Sequence, residues 1–317
     1  ILHLDLSLSE LANSNDMSVD RFKEKVEQIR NKLFQIREER IHPHKDDKIL
    51  TDWNGLMIAA LAKGARILED EILLESAKNA VNFIFDYLQT EDGRLLHRYR
   101  EGEADIDAYA DDHAFLIWGL LEMYETTFEV QYLRDALELN ETFIRHYWDE
   151  GIGGFYFTPD DGEDLLVREK EIYDGAIPSG NSVAMLNLLR LALLTGNHEF
   201  EEKADLISRV FAEKVKNNPS AFTMLFSAVD LAIGPSFSLV VAGDTDSKDT
   251  KLMLDEVRSR FLPNVVLIHR PTEISNPEIE KHANFIEWFE KTDDKATAYV
   301  CVNQTCKPAT VDPSKML

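Results

Sequence analysis

Trp53-Asn54-Gly55-Leu56-Met57-Ile58-Ala59-Ala60-Leu61-Ala62 decides the fold of this chain. The stretch is apolar almost all round, which suits a helix buried on several sides. Two later stretches have the same character. They are His113-Ala114-Phe115-Leu116-Ile117-Trp118-Gly119-Leu120-Leu121 and Asn181-Ser182-Val183-Ala184-Met185-Leu186-Asn187-Leu188-Leu189. Each is followed by a helix of another kind, over about 71–89, 129–148 and 198–216. Those helices mix Ala, Leu and Phe with Glu, Lys and Arg, so one face is wet. Leu56, Phe115 and Val183 are spaced by 59 and 68 residues, and so are Ala77, Ala136 and Ala204 of the second helices. Two independent markers give one repeat, a helical hairpin. The pattern predicts a curved layer of hairpins, with buried helices on an inner wall and amphipathic ones outside.

Upstream, a helix is expected over about 19–39, with Ser18 as its cap. Short strands are expected at 93–99 and 153–158, where Gly and aromatic residues alternate with polar ones. A further helix is expected over about 219–232, after Pro219. The pattern changes after Gly234-Pro235. Residues 238–243 and 264–268 read as buried strands and 248–260 as a helix between them, a βαβ-like unit. The expected division is therefore a helical-hairpin region at 1–233 and a small α/β tail at 234–317 packed on it. The Gly243-Asp244-Thr245-Asp246 turn lacks GxGxxG spacing, which argues against dinucleotide chemistry.

Charge and composition exclude several functions. Of 317 residues, 34 are Lys or Arg and 58 are Asp or Glu, a net charge of −24. A chain so acidic repels phosphate backbones, so no nucleic-acid partner is expected. No uninterrupted apolar run approaches the ~20 residues that span a bilayer, so no membrane partner is expected either. The start at Ile1 has no signal-peptide pattern and no initiator Met, which suits a fragment, a processed chain or a trimmed one. A cytoplasmic location is the default expectation. Cys301 and Cys306 stand as CxxxxC, which is not the redox CxxC. A turn disulfide and two free thiols both remain open, the free thiols being the plainer reading.

Polar residues crowd the loops that lead into the inner helices. The first holds His44, Asp47, Asp52, Trp53 and Asn54, the second Asp111, Asp112 and His113, the third Arg168, Tyr173, Asp174 and Asn181. If the hairpins curve, these loops meet at one rim. Such a mixture suits a polyhydroxylated ligand, with Trp53 or Tyr173 stacking on a sugar face and Asn54, Asp174 and Asn181 among its hydrogen-bonding groups. Asp47, Asp52, Asp112 and Asp174 are the candidates for a carboxylate acid–base pair. His44 is a candidate for proton transfer. Asp47 and Asp112 are the first choice for acid and base, Trp53 for platform, Arg168 and Asn181 for ligand clamps. Each has a plainer alternative. Asp52, Asp112 and Asn181 fall where helix caps belong, Trp53 suits a wall residue, and Arg168 suits an ion pair with Glu169 or Asp174. No metal is expected, since neither EF-hand nor HExxH spacing occurs, and no cofactor.

At these loops the chain resembles a known family. The motifs are His44-Lys45-Asp46-Asp47-Lys48, Thr51-Asp52-Trp53-Asn54-Gly55-Leu56-Met57, Gly153-Gly154-Phe155-Tyr156, Asp174-Gly175-Ala176-Ile177-Pro178-Ser179-Gly180-Asn181-Ser182, and Cys301 with Cys306-Lys307-Pro308. They resemble the C-terminal part of the YyaL-type proteins, the spermatogenesis-associated proteins that carry a thioredoxin-like domain. The resemblance implies an (α/α) toroid of the six-hairpin glycosidase-like class, similar to N-acylglucosamine 2-epimerase. It also implies that a thioredoxin-like domain and the first toroid hairpins are missing here, leaving an incomplete arc. The family's tyrosine after the aspartate is His113 in this chain, which favours Asp112 over His113 as a functional group. Two readings follow: a carbohydrate-active enzyme (epimerase, isomerase or hydrolase), or a non-catalytic helical scaffold that works with the missing domain.

Overall fold

The computed structural model describes residues 3–302 and 305–316. The chain forms two compact units, Ile1–Asp47 and Lys48–Leu317. In the first, α1 (Leu8–Ser14) starts at a Ser7–Glu10 capping box, and α2 (Val19–Glu38) starts at Ser18, whose side chain accepts from Arg21 N. None of the residues of α2 is buried.

The second unit begins with β1 (Ile49–Leu50), which runs straight into α3 (Thr51–Leu68) and then α4 (Glu71–Tyr87). A hairpin of β2 (Leu96–Arg100) and β3 (Glu103–Asp107) feeds α5 (Ala110–Thr127), followed by α6 (Val130–Tyr147). After a long connection come α7 (Gly180–Thr195), α8 (His198–Asn217) and α9 (Thr223–Ile233). Helices α3, α5 and α7 lie side by side, while α4, α6 and α8 each pack on the helix before them. This is the two-layered arc of an (α/α) toroid. Its inner wall is apolar on most sides, as the sequence requires. In α5 all but four residues are buried, among them Phe115, Leu116, Leu120 and Tyr124. The close contact of α3 with α5 depends on glycine: a Cβ on Gly55 would lie 2.6 Å from Leu116 N.

The tail is a four-stranded sheet in the order β5-β4-β6-β7, made of β4 (Phe237–Gly243), β5 (Val265–Pro271), β6 (Thr297–Val302) and β7 (Thr305–Cys306). Strands β4 and β5 are parallel, joined through α10 (Lys248–Arg258), which is the expected βαβ unit. Strand β6 runs antiparallel to β4. Val240, Val266 and Ile268 share the core of the helical layer, and Ser238 Oγ donates to Leu193 O of α7 at 2.7 Å.

Three local expectations change. The stretch 153–158 forms no strand and makes only an isolated bridge, Trp148 to Phe155. Gly153 and Gly154 both take positive φ there, which breaks the pleat. The helix expected at about 219–232 begins as a 3-10 turn, Pro219–Ala221, and becomes α-helical at Thr223. Cys301 and Cys306 face each other across β6 and β7 and are joined in a disulfide rather than free.

Candidate functional site

The starts of the three inner helices come together. The β2–β3 hairpin explains how. Leu50, the last residue before α3, pairs with Arg98 of β2, and Thr51 Oγ1 donates to Leu96 O at 2.6 Å. The same hairpin leads directly into α5. His97 is thereby set between the first turns of α3 and α5.

Asp112 joins α3, α5 and His97. It stands at the third helical position of α5 and accepts from Tyr109 N at 2.7 Å, closing the turn onto itself. Its other oxygen accepts from Asp52 N at 2.8 Å, in a helix whose own cap residue, Leu50, offers no side-chain bond. His97 Nδ1 lies 3.0 Å from Asp112 Oδ2 and 3.1 Å from Oδ1. Asp112 is fully buried. The bond from Asp112 raises the His97 pKa above the usual histidine value.

Asp52 is 7% exposed, and its Oδ1 accepts from Trp53 N at 2.7 Å. Burial, and then repulsion from Asp112, push its pKa up to about 6. One nitrogen or oxygen each from Asp52, His97 and Asp112 lies within 4.8 Å of the others. These are the residues of the rim that could hold a small cation, and they also make a proton-transfer cluster. Tyr109 closes one side, its ring edge-on to His97 at 4.9 Å and stacked on Phe157 at 4.7 Å.

Next to Asp112, Asp111 meets the start of α7. A Cβ on Gly180 would lie 2.5 Å from Asp111 Oδ1, so this approach needs glycine. Burial, with added repulsion from Glu171, Asp112 and Asp52, pushes Asp111 up to about 7.

The other expected site residues are placed as follows. Trp53 is 61% exposed beside Asp52, and Tyr173 is also exposed. Asn54 donates to Leu50 O, one turn back. Asn181 spends its whole amide on backbone, donating to Phe155 O and Glu171 O and accepting from Phe155 N. Asp174 accepts from Ser179 N, and from Met224 N and Leu225 N at the start of α9. Arg168 donates to Thr158 O and His146 O, with its guanidinium 4.2 Å from the centre of the Tyr156 ring. These three tie the long α6–α7 connection to the body. His44 and Asp47 belong to the first unit, in an exposed stretch without regular secondary structure. His113, considered and set aside in the sequence, is fully buried against Phe143 and Tyr147, and burial pushes its pKa down to about 4.

Sequence reasoning missed His97. Its signal was its place in a strand just ahead of an inner helix, with a buried acid fifteen residues on.

Comparison with known proteins adds the following. No family model matches the chain. Human spermatogenesis-associated protein 20 is 32% identical over 96% of this chain, which spans 41% of that protein's length. An uncharacterized Caenorhabditis elegans protein is 31% identical over 86% of the chain and 38% of its own length. Among solved structures, cellobiose 2-epimerase from Bacillus thermoamylovorans is similar with a TM-score of 0.46 and 19% identity, over 55% of this chain and 47% of that one. A family 105 glycoside hydrolase of C. acetobutylicum gives 0.42 and 15%, over 64% and 59%. No helix of the described residues is long and apolar enough to cross a membrane.

Proposed function

We propose that this chain, a homologue of about two fifths of spermatogenesis-associated protein 20, is a carbohydrate-active enzyme that moves protons at a sugar ring. The single observation that supports this best is the Asp52–His97–Asp112 cluster, two buried carboxylates in unequal surroundings with an imidazole between the helix starts. Asp112 orients His97 through Nδ1, which leaves Nε2 as the general base and strengthens it. Asp52, pushed up to about 6, keeps its proton to a higher pH than an ordinary carboxyl and acts as the acid. Trp53, exposed beside it, is the platform for the sugar face. Proton abstraction next to a sugar carbonyl, as in an epimerase or isomerase, uses this base and acid directly. Glycoside hydrolysis is the alternative reaction for the same groups.

The reading also includes missing parts. Met57, Ile67 and Leu68 of α3 are more than half exposed. We infer that toroid-completing hairpins, and with them a thioredoxin-like domain, are supplied by the further sequence that the longer relatives carry.

The test is a screen of free disaccharides and aryl glycosides against the chain and against the full-length relative. Asp52→Asn, His97→Gln and Asp112→Asn should each lower kcat by about 100-fold or more. The kcat profile should be bell-shaped, because the active form pairs a protonated Asp52, with a pKa of about 6, with a neutral His97, whose pKa is raised, and is lost at both pH extremes. Sugar turnover that survives Asp52→Asn and His97→Gln unchanged would falsify the assignment.

A further inference from the structure

A hollow lies roughly 16–21 Å further along α3 than the Asp52 cluster, judged from the rise between Asp52 and Lys63 or Arg66. It encloses about 650 Å³ between the far ends of the inner helices, α9 and the connection from α10 to β5. Its floor is a buried ion network. Arg190 bonds Glu122 at 3.0 Å and Glu125 at 2.9 Å, and Arg66 bonds the same two at 3.1 and 3.2 Å. Lys63 adds a third cation, 3.4 Å from Glu122. Two carboxylates thus face three cations. Burial alone would raise the Glu122 pKa, but Arg190, Lys63 and Arg66 hold it well below the usual carboxylate range. The network stays charged.

The wall adds further positive charge. Arg258 donates to Thr126 O at 2.8 Å and so ties down the end of α5. Its Nε is buried with no hydrogen-bond partner among the described residues, and its guanidinium lies 5.1 Å from the centre of the Phe128 ring. Counting Arg260, which is paired with Glu256 outside the lining, the lining carries five cations against Glu122, Glu125 and Asp230. The chain as a whole has the opposite balance, 34 to 58. A concave positive surface on an acidic protein concentrates anions. The wall also carries apolar side chains, Trp118, Leu186, Phe226, Phe261 and Leu262. Phe261 lines the cavity yet is 92% exposed, on a connection where Ser259, Arg260 and Pro263 are exposed as well.

We propose that this cavity binds a small organic anion with a planar apolar body, its carboxylate or phosphate facing Arg258 and Lys63 and its ring between Trp118 and Phe261. The site is separate from the Asp52 cluster and does not rest on the sugar reading.

Naphthyl phosphate, with naphthol as its uncharged counterpart, tests this by calorimetric titration of the chain at low and at raised salt. Naphthyl phosphate should bind saturably, one per chain, and weaken as salt rises. Naphthol should bind about tenfold less tightly or worse. Arg258→Gln should weaken the phosphate probe by about tenfold, and Phe261→Ala by roughly threefold or more. Arg258 also holds the end of α5, so the exposed Arg260→Glu is the charge variant to use if Arg258→Gln does not fold. Phe261→Ala removes an exposed ring and leaves the fold intact. No saturable binding, equal affinity for naphthol, or parental affinity in Phe261→Ala and in whichever charge variant folds overturns the proposal.

Discussion

Gly55→Ala is the most searching perturbation of the arc. A Cβ at this position would lie 2.6 Å from Leu116 N, 2.6 Å from Phe115 C and 2.9 Å from Phe115 O. Ordinary contact needs about 3.5–4.0 Å, so α3 and α5 must separate by roughly 1 Å. The obstructing atoms are backbone, and no rotamer change can relieve them. Gly119 meets the same limit from the other side, since its Cβ would lie 3.0 Å from Gly55 O. Overpacking of this kind costs about 1–3 kcal/mol. Separation also strains the bond from Asp52 N to Asp112 Oδ1, a charged bond worth about 1.5–3 kcal/mol. The better helix propensity of alanine returns about 1 kcal/mol. The net expectation is a loss of about 2–4 kcal/mol, or roughly 4–10 °C in Tm. Gly64→Ala on the same helix is the control. There a Cβ meets only the tip of Leu73, at 3.3 Å. That side chain can turn aside, so Gly64→Ala should be neutral or stabilising by up to about 1 kcal/mol. Thermal unfolding of both variants by circular dichroism decides. If Gly55→Ala melts with the parent, or the two alanines cost the same, the close crossing of α3 and α5 is not what holds the arc.

Asp111 predicts a pH dependence of stability. Its pKa is about 7 in the fold against 3.8 ordinarily, so the folded chain holds a proton that the unfolded chain gives up. Its contribution is therefore present below about pH 4 and is lost as pH rises through about 7, up to roughly 4 kcal/mol. Asp111→Asn should flatten that decline in urea midpoints measured from pH 4 to 8; an unchanged slope contradicts the assignment. Arg190→Met leaves Glu122 and Glu125 buried with fewer partners and should cost about 3–5 kcal/mol in denaturant unfolding. A cost under 1 kcal/mol would mean the network is already dissolved by water. Asn181→Ala orphans Phe155 N, Phe155 O and Glu171 O, at about 2–3 kcal/mol, and should open the connection before α7 to limited proteolysis. Cleavage at the parental rate would show that the connection is held by other means.

The arc was legible because its signal repeats. Leu56, Phe115 and Val183 mark one buried face three times, and a pattern met three times survives errors at any one helix. The βαβ tail was legible for a similar reason, since 238–243 and 264–268 are apolar runs too short for helices. Strand β3 was not: Glu103-Ala104-Asp105-Ile106-Asp107 carries three acids, and it is a strand only because β2 lies beside it. Site residues were harder still. Asn181, Asp174 and Asp112 have the residue types of ligand groups and of caps alike, and only partners distinguish the two. All of their partners but Tyr109 and Ser179 are far along the chain, such as Phe155 for Asn181 and Met224 for Asp174. His97 was passed over because its one signal, a place in the strand ahead of an inner helix, gains meaning only through Asp112, which becomes its partner through the hairpin turn.

Two aspartates at the starts of neighbouring inner helices would be expected to behave alike. Each sits where the helix N-terminus favours negative charge, by about 0.3–1 kcal/mol at an exposed end. Each is also buried, which opposes charge more strongly. The hydrogen bonds separate them. Asp112 collects donors from Tyr109, Asp52 and His97, one of them a residue that becomes cationic when protonated. Asp52 collects the adjacent Trp53 N and faces Asp112 across a few ångströms of protein. Bringing a second full charge there costs more than the helix end supplies, so Asp52 holds its proton up to about pH 6. The asymmetry comes from the register of β2 against β1, because that pairing delivers His97 to Asp112 and not to Asp52. A chain that only needed to cap two helices had no use for the imidazole, since Asp112 already reaches both helix starts without it. His97 is the member of the cluster that helix capping does not use, and for that reason it weighs most in favour of the chemistry proposed at this rim.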